Sequence, residues 1–118
     1  MYIDGFLIPV PEGKRDAYMA MAAKVAPLFK EYGVLQQVEC WGDDLPEGKV
    51  TDFHKAVKAE GGENIVFSWM LWPDKATRNA GWKKMMEDER MKPEGDMPFD
   101  EKRMFFGGFQ VLFDSGAS

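Results

Sequence analysis

A single cysteine and a single histidine, Cys40 and His54, occur in the chain. An internal disulfide is therefore excluded. So is a structural zinc site, which needs four ligands drawn mostly from Cys and His. Other things are missing as well. No G-x-x-x-x-G-K-[ST] or G-x-G-x-x-G loop offers backbone amides to a phosphate. No G-x-S-x-G elbow presents a serine nucleophile. The 15 Lys and Arg are scattered among 20 Asp and Glu, for a net charge of −5. Without a basic stripe there is no phosphate track, and nucleic acid is not an expected partner. The longest apolar run, Ile65 to Trp72, is far too short to span a bilayer. The N-terminal "MYIDGFLIPVPEG" lacks the basic stretch and small-residue cleavage site of a signal peptide, so cytoplasmic residence is expected.

What is present reads as one globular domain over residues 1–118. Hydrophobic residues make up 45% and aromatic residues 14%, with nine methionines. That is enough apolar surface to fold without a metal, with some left for an interface.

"YIDGFLIPV", Tyr2 to Val10, reads as a strand that prolines bring to an end. From Lys14 to Tyr32 the apolar residues Tyr18, Met21, Ala22, Val25, Leu28, Phe29 and Tyr32 recur every three or four positions, the stripe of an amphipathic helix. Pro27 falls inside it and predicts a kink with the helix continuing. Gly33 is the expected stop. Val34 to Asp44 reads as a second strand. "FHKAVKA", 53–59, and "NIVFSWMLW", 64–72, flank "EGGE" and read as a hairpin. Asp74 is placed to cap a second helix, and Arg103 to Phe113 forms the last strand. The order β-α-β-(β)-β-α-β predicts a ferredoxin-like α+β fold with an extra hairpin strand, both helices lying on one face of an antiparallel sheet.

That arrangement leaves the other face bare, yet two strands are apolar on both sides. Phe67, Trp69 and Leu71 alternate with Val66, Met70 and Trp72. Phe105 and Phe109 alternate with Met104 and Phe106. Strands apolar on both faces call for cover on both. Two helices cover one, so a twofold partner is expected over the other. In "MPFDEKRMFFGGFQVLF" a turn and the charges of Lys102 and Arg103 guard an edge strand. Gly107-Gly108 predicts a bulge or a close backbone approach at the dimer contact.

"YIDGF" at Tyr2, "MAAKVAPLFKEYG" at Met21, "VECW" at Val38, "GKVTDF" at Gly48, "VFSWM" at Val66 and "MPFDEKRMFFGGF" at Met97 together resemble the YbaA-like proteins. These are small bacterial proteins of unknown function grouped with the dimeric α+β barrels. The resemblance runs nearly the whole chain. It implies two ferredoxin-like sheets facing each other in a homodimer. It implies no reaction, because dimeric α+β barrels include cofactor-free monooxygenases, haem enzymes, lactone isomerases and small-molecule sensors.

Asp4 and Glu39 interrupt otherwise apolar strands, where an unpaired charge is costly. Each faces solvent, or meets a cation such as Arg103, Arg78 or Lys102, or sits in a cavity as a candidate base. His54 is the only imidazole, but Lys55 and Lys58 beside it suggest an exposed position. Cys40 reads as a structural thiol. Glu39, Asp43 and Asp44 could in principle hold a hard cation. Acidic residues are commonplace at strand ends, however, and no metal or cofactor is assigned. Trp41, Trp69 and Phe105 are candidate walls for a flat ligand, with core packing as the alternative. Two functions stay open. One is a homodimeric non-catalytic binding or stress-response module, with room for a small-molecule pocket or with a filled barrel as scaffold only. The other is a cofactor-independent enzyme, monooxygenase- or isomerase-like, acting on a small aromatic or carbonyl compound, with Asp4, Glu39 or His54 as base and Arg103 or Arg78 as anion partner.

Overall fold

In the computed structural model, which describes residues 1–93 and 95–116, β1 runs Tyr2–Pro11, passing through Pro9 and ending at Pro11. A short 3-10 turn leads into α1, Arg15–Glu31, which passes through Pro27 without ending. Gly33 takes φ +109°, a conformation open to glycine and strained for other residues, and the chain turns there into β2, Gln36–Trp41. A short helix, α2, spans Phe53–Ala56. β3 is Glu63–Trp72, α3 is Lys75–Glu87 and β4 is Phe105–Gln110. The Asp74 carboxylate accepts from the Thr77 amide at 2.7 Å, the expected cap of α3.

The strands form one antiparallel sheet in the order β2-β3-β1-β4. This is the ferredoxin-like arrangement, with β1 and β3 central and β4 at an edge. Register pairs Asp4 with Met70 and with Gly108, and Glu39 with Ser68.

One expectation fails. Residues 53–59 form no hairpin strand, because α2 stands in its place. The Asp52 carboxylate accepts from the Lys55 amide at 2.7 Å and nucleates the turn. Phe53, Ala56 and Val57 follow helical spacing, and Val57 is buried. "EGGE" is the turn that returns the chain to β3, with Gly62 at φ +84°.

Period-two alternation sorts the sheet residues. Asp4, Ile8, Val10, Val66, Ser68, Met70 and Trp72 are buried on the face beneath α1 and α3. The opposite face carries the other set, and Phe67, Phe105 and Phe109 stand 47%, 46% and 62% exposed.

The glycine pair makes no bulge, since Gly5 pairs with Gly107 and Asp4 with Gly108 in unbroken register. Close approach accounts for Gly108 alone, and it is internal to the chain; a Cβ at Gly107 would make only ordinary contact with Phe109. The Phe109 ring lies over Gly5 and Gly107 on the bare face. On the other face Tyr2 lies against Gly108, where a Cβ would come within 2.3 Å of the phenol oxygen.

Gly81 permits another close crossing. A Cβ there would come 2.7 Å from the Trp72 ring and 2.9 Å from the Tyr32 carbonyl oxygen. Backbone cannot yield as a flexible side chain can. Gly81→Ala should therefore destabilise by about 1–3 kcal/mol despite alanine's better helix propensity. Urea denaturation checks this, and an unchanged or raised midpoint would refute the close crossing.

Candidate functional site

Alternation along β1 and β2 places both strand carboxylates on the helix-covered face, but in different surroundings. Asp4 is fully buried. It accepts from Trp72 Nε1 at 2.9 Å and Trp82 Nε1 at 2.8 Å. Arg78 Nη2 donates at 2.7 Å, and its Nε lies 3.1 Å from each carboxylate oxygen. The guanidinium also sits 5.3 Å from the Tyr2 ring centroid. Hydrogen bonding to Asp4, set against some desolvation, raises the Arg78 pKa. Of the outcomes open to Asp4, the structure selects the ion pair. Both carboxylate oxygens accept from these donors, so Asp4 joins β1 to β3 and α3.

Glu39 is held differently, by neutral donors. Its Oε1 accepts from the Tyr18 hydroxyl at 2.6 Å. Its Oε2 accepts from Ser68 Oγ at 2.9 Å and Gln37 Nε2 at 3.0 Å. Burial, and then the neighbouring Glu39 charge, push the Tyr18 phenol well above its ordinary range, so this hydroxyl keeps its proton. The Gln37 amide is oriented by its bond to Glu39. Its Oε1 is buried without a partner among the described residues.

Glu39, Gln37, Ser68 and Tyr18 form a polar cluster in the lining of a cavity of about 560 Å³ between the sheet, α1 and the segment after α3. Most of the remaining wall is apolar and rich in thioethers, among them Phe6, Met21, Met70, Trp82, Phe99 and Met104, with Lys24, Arg90, Lys92 and Asp96 also in the lining. Its size suits a drug-sized molecule.

The other sequence candidates lie elsewhere. His54 is exposed on α2. Arg103 binds Glu63 through two parallel contacts of 2.6 and 2.7 Å and Asp100 through its Nε at 2.8 Å. That fork depresses the Glu63 pKa and ties the turn before β4 to the start of β3. Arg103 is therefore no partner of Asp4. Trp41, Trp69 and Phe105 build no common wall. Trp41 packs on the helix-covered side beside Ile8 and Val66, while Trp69 and Phe105 belong to the bare face. Cys40 is exposed rather than buried. Asp43 and Asp44 are exposed, and among the described residues no three His, Cys, Asp or Glu gather as a metal site. No helix of the described residues is long and apolar enough to cross a membrane.

Comparison with known proteins agrees with this architecture. The family described as "Protein of unknown function (DUF1428)" matches residues 1–101, and the chain belongs to that family. It is 59% identical over 114 residues to the uncharacterized protein YbaA of Escherichia coli K12, covering 96% of this chain and 97% of that one. The Shigella flexneri YbaA matches to the same extent. Among solved structures, a MhuD mutant with two manganese protoporphyrin IX bound per active site superposes with a TM-score of 0.65 at 15% identity, covering 99% of this chain and 100% of that one. A NIPSNAP domain protein from Burkholderia xenovorans gives 0.55 at 14% identity, covering 100% and 99%. At such identities the likeness is one of fold.

Proposed function

We propose that this member of the DUF1428 family is a cytoplasmic homodimer whose subunits each bind a small organic molecule in the cavity lined by Glu39. One observation carries the binding reading: a half-buried carboxylate, hydrogen-bonded by neutral groups, lines a cavity of about 560 Å³ whose lining is otherwise mostly apolar. Core carboxylates are normally neutralised by a cation, as Asp4 is by Arg78. The exposed phenylalanines of the opposite face support the dimer, with a second copy as the cover.

A catalytic extension uses the same residues. Glu39 would take a proton from a bound molecule while Tyr18 donates its hydrogen bond, and no cofactor enters. The MhuD neighbour holds a metalloporphyrin. The cavity lining described here contains no histidine or cysteine to ligate a haem iron, and Tyr18 is engaged with Glu39. A haem role does not fit these residues.

Nile red, a neutral flat dye, tests the cavity. Ala22→Phe or Ala20→Trp, which put rings into the space from α1, should weaken dye binding at least about tenfold without changing the oligomeric state. Dye binding unaffected by both substitutions would place it elsewhere and refute the site.

A further inference from the structure

We infer that the cavity selects molecules with an apolar or aromatic body ending in a protonated amine or amidine. The inference rests on the cavity reading above and adds the chemistry of its occupant. The polar cluster has few donors left and several acceptors. The Tyr18 and Ser68 hydroxyl protons and one Gln37 N–H are already directed at Glu39. What remains at the cavity surface is the lone pairs of the carboxylate not used by its three donors; Gln37 Oε1 is closed off from the cavity. A ligand carboxylate or phosphate would add negative charge beside Glu39. An ammonium or amidinium brings several N–H groups to those lone pairs and supplies a compensating charge.

Three basic residues line the cavity, Lys24, Arg90 and Lys92, and none is without a partner. Arg90 is bound to Asp88 at 2.7 Å and to Glu31 at 2.5 Å, and Lys92 to Glu89 at 3.0 Å. The walls decide the rest of the molecule. Met21, Met70, Met91, Met97 and Met104 line the space together with Phe6 and Trp82. Thioethers are polarisable and adopt many shapes, so they favour a flat or flexible apolar body without fixing its outline. Selection resides at Glu39.

The test is calorimetric titration at pH 7.5 with three probes on one skeleton: 2-naphthylmethylamine, 2-naphthylmethanol and 2-naphthoic acid. The amine should bind at least about tenfold more tightly than the alcohol, and the acid more weakly than both. Glu39→Gln, checked for native circular dichroism, should bring amine and alcohol within about threefold of each other. Gln37→Leu, which also removes the Nε2 donor to Glu39 but leaves the carboxylate, should keep the amine the tightest of the three; Glu39→Leu serves if Glu39→Gln does not fold. An acid that binds as tightly as the amine, or an amine preference that survives the loss of the Glu39 charge, overturns the inference while the cavity reading stands. If all three probes fail to bind at millimolar concentration, both readings fall.

Discussion

Asp4→Ala should lower the stability of the protein by about 3–5 kcal/mol, the range found when one member of a buried ion pair is removed. The loss has three parts. Arg78, whose side chain is 20% exposed, keeps a charge with no counterpart. The indole N–H groups of Trp72 and Trp82 lose their common acceptor, and Trp72 has no access to water. The side chain that pins β1 to α3 disappears. Compared at equal protein concentration, the thermal midpoint should drop by more than about 10 °C. Asp4→Leu combined with Arg78→Met should recover part of this, because the stranded charge is removed as well. A loss below about 1 kcal/mol for Asp4→Ala would mean that the buried network contributes little.

Phe67→Glu and Phe109→Lys should convert a dimer into a monomer at micromolar concentration. Both side chains stand on the bare face, 47% and 62% exposed in the single chain. A twofold interface meets each substitution twice, so the penalty for burying one charge in apolar surroundings is doubled. The dissociation constant should rise at least about a hundredfold by native mass spectrometry or light scattering. The subunit fold should persist, because neither residue is under the helices. His54→Glu, on α2 and exposed, serves as the control. A wild-type protein that is monomeric at millimolar concentration would refute the second copy as the cover of this face.

Much of this architecture can be read from residue order. The α1 stripe, the Gly33 stop, the Asp74 cap and the apolar β3 all correspond to elements in place. The segment 53–59 misleads because aromatic and β-branched residues suggest a strand, while Asp52 immediately before them carries a capping signal. The two strand acids are also visible as interruptions. Their fates are not, since the groups that decide them are far away in sequence. Asp4 is settled by Trp72, Arg78 and Trp82, and Glu39 by Tyr18 and Ser68. The cavity depends on how far α1 stands from the sheet, a distance that periodicity does not encode.

The central place of β1 has a consequence during synthesis. Asp4 emerges 78 residues ahead of Trp82, the last of its hydrogen-bonding partners. At about 5–20 residues per second, the nascent chain carries this carboxylate unpaired for roughly 4–16 s. The β4 edge, paired with β1 from Tyr2 to Leu7, arrives later still. β1 waits until β3, which starts at Glu63, has been made before either neighbour can join it, so folding is governed by long-range closure. Until then, α1 can form locally but has no complete sheet to cover. A charge at position 4 keeps the waiting strand "YIDGFLIPV" from being wholly apolar, and the prolines at positions 9 and 11 limit its pairing with other nascent chains. The residue that locks the finished fold thus also keeps its first strand soluble before that fold exists.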